Sequence, residues 1–256
     1  MMLIIDTHTH IHPSFDTKAA IAAALKNMRL EADCVPVLCL TERYEECLFS
    51  TLSQTKNSQA KNPEQLTCTP TKSPEVLKVS EQAASIYLLA GHQLITSEKL
   101  EILALGTISR PQDGLSAQAT IQSISAAGAL AVIPWSPGKW LGQRGQVVKA
   151  LLAGPQPKDF LVGDIPIRPC GNIFSTPLLS YARKCGCKIV YGSDPLPFKS
   201  EETALGTLAT EISNVTIDPD NPKASILAAL TNSTGRPRGR YNNPIRALLR
   251  QIRTLI

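Results

Sequence analysis

The chain has 256 residues, of which 43% are hydrophobic and 18% are charged, and its formal net charge is +5. These values are ordinary for a globular protein, and they allow one large domain, or at most two, with enough chain to bury a core. No apolar run reaches the roughly 20 residues that a transmembrane helix needs. The apolar start over residues 1–5 is also too short for a signal peptide. Composition therefore predicts a globular protein without a membrane partner.

The cysteines give an expectation about location. There are seven of them, an odd number without C-x-x-C spacing, which argues against a disulfide framework. Cys185 and Cys187 flank a glycine and could bind a metal together, although two buried thiols are the commoner explanation of such a pair. Free thiols and the lack of a signal peptide together favour the cytoplasm.

Apolar runs and helical patterns alternate along the chain and predict strands and helices in turn. The predicted strands cover residues 3–6, 34–40, 85–89, 93–96, 100–106, 130–133, 160–165 and 188–191. The predicted helices cover residues 17–30, 43–52, 118–127, 147–152, 178–184, 202–212 and 224–230. A polar stretch over residues 53–75 is expected to form an exposed loop or hairpin excursion.

The end of the chain is basic, and residues 243–256 predict an amphipathic helix. Its arginines fall mainly opposite the apolar stripe, so that face is expected to be solvated, with an anionic partner or an oligomer contact as alternatives. No aromatic residues interleave with the arginines, so a nucleic-acid partner is not expected. The arginines of this region are Arg236, Arg238, Arg240, Arg246, Arg250 and Arg253.

The alternation of short β and α elements predicts an α/β fold with a parallel sheet, open or closed into a barrel, in a single domain over residues 1–256. Polar residues follow several of the predicted strands, among them Ser136 and Asp194. Because parallel α/β barrels carry their active sites at the carboxyl ends of the strands, these residues are expected to meet at one functional site.

The first strand ends in a run of polar residues at alternate positions: Asp6, His8, His10 and His12. Alternate side chains on a strand project from the same face, so these groups are expected to point towards one place. Imidazole and carboxylate groups are the ligands that Zn²⁺ and similar divalent ions take. The spacing predicts a metal site, and the alternative is a polar strand end whose histidines only form hydrogen bonds.

Five short motifs follow one another in an order and with residue types that resemble those of the PHP (polymerase and histidinol phosphatase) domains. They are Asp6-Thr7-His8-Thr9-His10, Thr41-Glu42-Arg43, Gly91-His92-Gln93, Pro134-Trp135-Ser136 and Gly192-Ser193-Asp194. PHP domains are metal-dependent phosphoesterases. The resemblance implies a distorted (β/α)7-type barrel of the PHP kind.

The resemblance also implies which residues bind metal. His8, His10 and Asp194 match ligand positions of the family, whereas His12 and His92 lie outside its pattern and are added here as candidate ligands. Arg43 stands where the family has a histidine, and Gln93 stands where it has a bridging glutamate. Ser136 (or Trp135) and Leu196 likewise replace histidines. Because a guanidinium cannot bind metal and a neutral amide binds weakly, one Zn²⁺ or Mn²⁺ is expected rather than two or three, with Gln93 as a remaining candidate ligand.

The function implied by the resemblance is hydrolysis of a phosphate ester, or of a similar small anionic substrate, by a metal-activated water. Asp194 and Arg43 are the expected catalytic residues. Arg43, Arg168 and Ser136 are expected to bind substrate, since arginine suits phosphate, although either arginine is alternatively an ordinary salt-bridged residue. The alternative function is an inactive, PHP-like pseudoenzyme that serves as a ligand- or protein-binding module. A homo-oligomer is left open.

Overall fold

The computed structural model describes residues 1–28, 33–54, 66–136, 138–155, 158–168, 177–242 and Arg250. These residues form a mixed α/β structure. Its strands are β1 (Met2–Thr9), β2 (Cys34–Leu40), β3 (Thr67–Pro70), β4 (Val76–Glu81), β5 (Ala84–Leu89), β6 (Gly91–Ile95), β7 (Glu101–Leu105), β8 (Leu130–Pro134), β9 (Phe160–Asp164), β10 (Ile189–Tyr191), β11 (Leu208–Ser213) and β12 (Arg236–Gly239).

Helices connect many of these strands. They are α1 (Thr17–Met28), α2 (Leu48–Gln54), α3 (Ala117–Ala126), α4 (Gly142–Ala153), α5 (Pro177–Lys184) and α6 (Pro222–Asn232), with a 3₁₀ helix over Lys199–Ala204. Among the described helices, none is both long and apolar enough to cross a membrane.

The strands belong to two sheets. One has the order β12-β11-β1-β2-β5-β4-β3, and the other has the order β10-β9-β8-β7-β6. The pairs β1/β2, β2/β5, β8/β9 and β9/β10 are parallel. The pairs β1/β11, β6/β7 and β7/β8 are antiparallel. The sheets are therefore mixed, and the expected parallel pairing holds for only part of each sheet.

Strand β1 lies inside the first sheet and is buried on both faces, which explains its continuous apolar start. Ile4 packs in a cluster with Ile21 and Ala24 of α1. Leu3 and Ile5 point the other way, into a cluster that also contains residues of β7, β8, β9 and β10. The outer face of the second sheet packs against α3, α4 and α5. The core thus lies in three layers, and β1 contributes to two of them.

The two sheets meet along two seams. At the β1/β10 seam, the Asp194 N–H donates to the His8 carbonyl at 2.8 Å. At the β2/β6 seam, the Glu42 N–H donates to the Gly91 carbonyl at 3.1 Å, and the Gln93 N–H donates to the Glu42 carbonyl at 3.0 Å. These contacts bring the carboxyl ends of β1, β2 and β10 together. Because the strand ladders divide between two sheets, the closed barrel is not confirmed.

A glycine lies at each seam because the two sheets approach too closely there for a side chain. A Cβ atom at Gly192 would lie 2.4 Å from the His8 nitrogen, and one at Gly91 would lie 2.8 Å from the Leu40 carbonyl oxygen of β2. Such distances are shorter than a carbon atom tolerates. Both glycines therefore permit the packing that assembles the strand ends.

One expectation about secondary structure is corrected. The predicted helix over residues 202–212 is wrong, because the 3₁₀ helix ends at Ala204 and β11 pairs antiparallel with β1 from Leu208. Buried and exposed residues alternate only weakly along β11, so the sequence lacks the two-residue period that indicates a strand. Within the polar stretch over residues 53–75, β3 pairs with β4 as an antiparallel hairpin, and residues 55–65 lie outside the described part of the chain.

The predicted basic helix over residues 243–256 lies outside the described residues, except for Arg250. This side chain is buried and not solvated. Its guanidinium Nη2 donates to the Asp194 carbonyl at 3.2 Å and pairs with Glu201 at 2.6 Å. The expectation of a solvated arginine is therefore wrong at this position.

The seam geometry gives a test of stability. Gly192→Ala is expected to lower the free energy of unfolding by about 1–3 kcal/mol, because the new Cβ overpacks the β1/β10 seam. Gly154→Ala is the matched control, since its nearest new contact is the Leu151 carbonyl oxygen at 3.3 Å, which a small shift relieves. Urea unfolding measures both variants, and equal losses would contradict this account of the seam.

Candidate metal centre

Three of the predicted ligands come together at the end of β1. The Nε2 atoms of His8 and His10 lie 3.1 Å apart, and Asp194 Oδ1 lies 3.5 Å from the first and 3.8 Å from the second. Ligand atoms bound about 2.0–2.2 Å from a tetrahedral ion lie roughly 3.3–3.6 Å apart. The three atoms therefore have the spacing of three corners of a metal site.

The backbone around Asp194 holds its carboxylate towards the histidines. Asp194 has a φ of +41°, a left-handed conformation that few residues other than glycine adopt. Its N–H donates to the His8 carbonyl, and its own carbonyl accepts from Arg250. Both peptide groups of this residue are thus fixed by contacts with distant parts of the chain.

Asp6 supports the site without joining the ligands. Its fully buried carboxylate accepts the N–H groups of Ser193 at 2.8 Å, Gly206 at 2.9 Å and His8 at 3.3 Å. Burial raises the pKa of this carboxyl to about 6, although the three hydrogen bonds act in the opposite direction. Asp6 therefore links the end of β1 to the segment that carries Asp194 through hydrogen bonds.

The chemical state of the three groups suits a cation. Burial lowers the pKa of His10, which keeps the imidazole neutral and able to donate a lone pair. Burial raises the pKa of Asp194, but electrostatic interactions with the neighbouring His8 and then His10 outweigh it and lower that pKa. Within the described residues, the buried His8 Nδ1 has no hydrogen-bond partner, and His10 Nδ1 lies 3.7 Å from Glu46 Oε2. Two imidazoles and one carboxylate form a donor set that divalent transition metals bind.

Gln93 offers a fourth oxygen beside the triad. Its Oε1 lies 3.4 Å from His8 Nε2, while its Nε2 donates to Glu101 Oε1 at 3.1 Å. Because the carboxylate of Glu101 can only accept from the amide, it fixes the amide with its oxygen towards His8. Glu101 in turn forms an ion pair with Lys139. Glu101 and Lys139 were not among the predicted site residues.

His12 belongs to a neighbouring group of residues. Its Nε2–H donates to the Pro195 carbonyl at 3.0 Å, and its Nδ1 lies 3.0 Å from Glu46 Oε1 and 2.9 Å from Arg43 Nη2. Burial raises the pKa of Glu46, but contacts with His10 and His12 outweigh it and hold that pKa well below its usual range. His12 therefore contacts Glu46 and does not join the triad. Glu46 is a further site residue that the sequence analysis missed.

Two other predicted site residues bind partners outside the triad. The His92 Nε2–H donates to the Ile108 carbonyl at 2.9 Å, and burial lowers the pKa of His92. Arg168 donates through Nε and Nη2 to both oxygens of the buried Asp164, each at 2.8 Å. Ser136 is half-buried in the loop after β8. Arg168 therefore forms a salt bridge, which agrees with the alternative interpretation given for it above.

A cavity of about 530 Å³ opens beside the His12 end of the site. Arg43 and Tyr44 line it together with Ser14 and Pro197, and the Arg43 side chain is 45% exposed. A volume of this size is typical of a pocket for a small molecule. The cavity therefore provides space for a ligand next to the metal-binding group.

The site and fold together define a class: an α/β protein with a candidate metal centre at the ends of its strands. No protein-family model and no curated protein matches the chain. Among solved structures, PsfC from Pseudomonas syringae PB-5123 has a TM-score of 0.62 and 14% identity, and the match covers 100% of this chain and 99% of that one.

Two further solved structures are similar at lower scores. A two-domain protein from Bacteroides vulgatus ATCC 8482, which contains a predicted PHP-like metal-dependent phosphoesterase, has a TM-score of 0.52 and 11% identity. The lesion-specific endonuclease PfuEndoQ from Pyrococcus furiosus has a TM-score of 0.53 and 11% identity. The matches cover 94% and 93% of this chain but only 65% and 58% of the other two. At these identities the likeness shows a shared fold.

The geometry predicts which histidines hold a metal ion. His8→Ala is expected to lower bound zinc or manganese from about one equivalent to below about 0.1, because it removes one of three converging ligands. His92→Asn is the control and is expected to retain the metal, since His92 faces Ile108. Elemental analysis of protein purified without a chelating tag measures both. Equal metal loss in the two variants would place the ion elsewhere.

Proposed function

We propose that this protein is a metal-dependent hydrolase that cleaves a phosphate ester or a similar small anionic substrate. The observation that carries the proposal is the convergence of His8, His10 and Asp194 at the ends of the strands. The fold supports the same class, because a PHP-like phosphoesterase and an endonuclease are among the similar structures. The distorted barrel implied by the PHP resemblance belongs to this proposal too.

The residues of the triad have separate tasks in the proposed reaction. His8 and His10 hold the ion through ring nitrogens. Asp194 adds a negative charge that attracts the divalent cation. A Zn²⁺ or Mn²⁺ ion supplies Lewis-acid polarisation of a phosphoryl oxygen and lowers the pKa of a coordinated water towards about 7. Asp6 holds the end of β1 against the segment that carries Asp194, so that the three ligands stay together.

We propose one ion and not two or three. Within the described part of the chain, one group of three His, Cys, Asp or Glu side chains has ligand spacing. Arg43 has no lone pair to offer a second ion, and its guanidinium lies against His12. Gln93 contributes at most a neutral oxygen. A single divalent ion matches this supply of ligands.

Arg43 is the proposed contact for the anionic part of the substrate. Its guanidinium lines the cavity beside the site, and its Nη1 has no protein partner among the described residues. Glu46 and His12 hold the other side of the same group. Because the guanidinium is anchored on one side, it is already ordered. Its free N–H donors on the other side can then bind a carboxylate or phosphate oxygen.

Turnover of a generic substrate tests the proposed reaction. The metal-loaded protein is expected to hydrolyse p-nitrophenyl phosphate, and Asp194→Asn is expected to lower kcat/KM at least about 100-fold, because a ligand matters at least as much as the groups that support it. The Asn side chain keeps the size of the ligand and removes only its charge. No bound metal and no turnover in the wild-type protein would support the alternative, an inactive binding module.

The contribution of Arg43 is measured separately. Arg43→Ala is expected to lower kcat/KM by about 10- to 100-fold with unchanged metal content, since it removes one charge-assisted contact with the substrate. Arg183→Ala is the matched control, because Arg183 is exposed at the end of α5. Steady-state kinetics on both variants decides the point. Equal kcat/KM in the two variants would show that Arg43 only pairs with Glu46.

A further inference from the structure

Lys139 lies in a loop that is firmly attached to the second sheet. The loop follows β8, and the Lys139 N–H donates to the Ser136 carbonyl at 3.2 Å. The next residue, Trp140, is buried, and its indole N–H donates to the Pro134 carbonyl at 3.1 Å. A turn hydrogen bond and the buried neighbour Trp140 therefore help to position the Lys139 backbone.

The ammonium group of Lys139 reaches the candidate metal centre through two intermediaries. It pairs with Glu101, whose Oε1 also accepts the Gln93 Nε2–H. The amide oxygen of Gln93 lies 3.4 Å from His8 Nε2. A chain of direct contacts thus links the lysine to the metal-binding group on the His8 side. Arg43 lies at the other end of the histidine row, against His12.

The donors of Lys139 are only partly used. A lysine ammonium has three N–H donors, and Glu101 is its one hydrogen-bond partner among the described residues. About one-third of the side chain is exposed, whereas 15% of the Glu101 side chain is. A partly exposed salt bridge contributes little to stability, so stability alone does not account for this charged pair beside the candidate metal centre.

We propose that Lys139 binds a phosphoryl oxygen of the substrate on the His8 side of the metal centre. The free N–H donors of the ammonium meet the anion while Glu101 holds the nitrogen in place. The substrate then contacts positive charge on both sides, from Lys139 and from Arg43. This assignment rests on the proposed hydrolase function, because it takes the reacting group to be a phosphate ester.

Binding of inorganic phosphate to the manganese-loaded protein tests the assignment directly. Lys139→Met keeps the apolar stem of the side chain and removes its charge. Its phosphate dissociation constant, measured by calorimetry, is expected to rise about 10- to 100-fold with unchanged metal content. Lys139→Arg is expected to recover most of the affinity. Lys149→Ala, an exposed lysine on α4, is the control and is expected to bind like the wild-type protein.

The outcomes separate this assignment from the proposed function. Phosphate affinity within twofold of wild type in Lys139→Met, with a loss of stability only, would overturn the assignment and leave the hydrolase intact. Phosphate binding that weakens in Lys139→Met but recovers in Lys139→Arg supports it, even where the wild-type protein shows no turnover. A wild-type protein that binds no phosphate overturns it as well.

Discussion

The carboxylate of Asp6 is the constraint on which the rest of the site depends. It is fully buried and accepts backbone N–H groups from His8 on its own strand and from Ser193 and Gly206, which lie 187 and 200 residues away in sequence. Each of these N–H groups would lose its partner if the carboxylate were absent, and an unsatisfied buried donor costs about 1–3 kcal/mol. The two sheets can meet at the β1/β10 seam because this one side chain satisfies the backbone there.

The cations near the site follow a common rule, since each one is paired with a carboxylate. Arg43 pairs with Glu46, Lys139 with Glu101 and Arg250 with Glu201. Charges that are partly buried are tolerated only when they are paired in this way. Such pairing keeps the surroundings of the triad close to neutral, so that a divalent cation is not repelled. The pairs of Arg43 and Lys139 are partly exposed and leave free N–H donors at the surface, whereas Arg250 is buried.

The sequence was sufficient for the parts of the molecule that depend on local pattern. The alternation in β1 predicted the shared direction of His8 and His10, and the Gly-Ser-Asp motif predicted Asp194 at the same site. Glu46, Glu101 and Arg250 could not be found in this way, because each acquires its role from a partner that no spacing in the chain identifies. Strand β11 was missed for a related reason, since its partner β1 lies some two hundred residues earlier.

The left-handed backbone at Asp194 narrows the choice of ligand at that position. Aspartate and asparagine adopt this conformation more readily than other residues with a Cβ atom, whereas glutamate does so at a cost. Glutamate would offer the same carboxylate, yet it would strain the turn and extend one methylene too far. Asparagine would fit the turn but bring no charge. Two independent requirements therefore apply at this position, a left-handed backbone and a negatively charged side chain of the right length. Of the common carboxylate and amide side chains, only aspartate meets both.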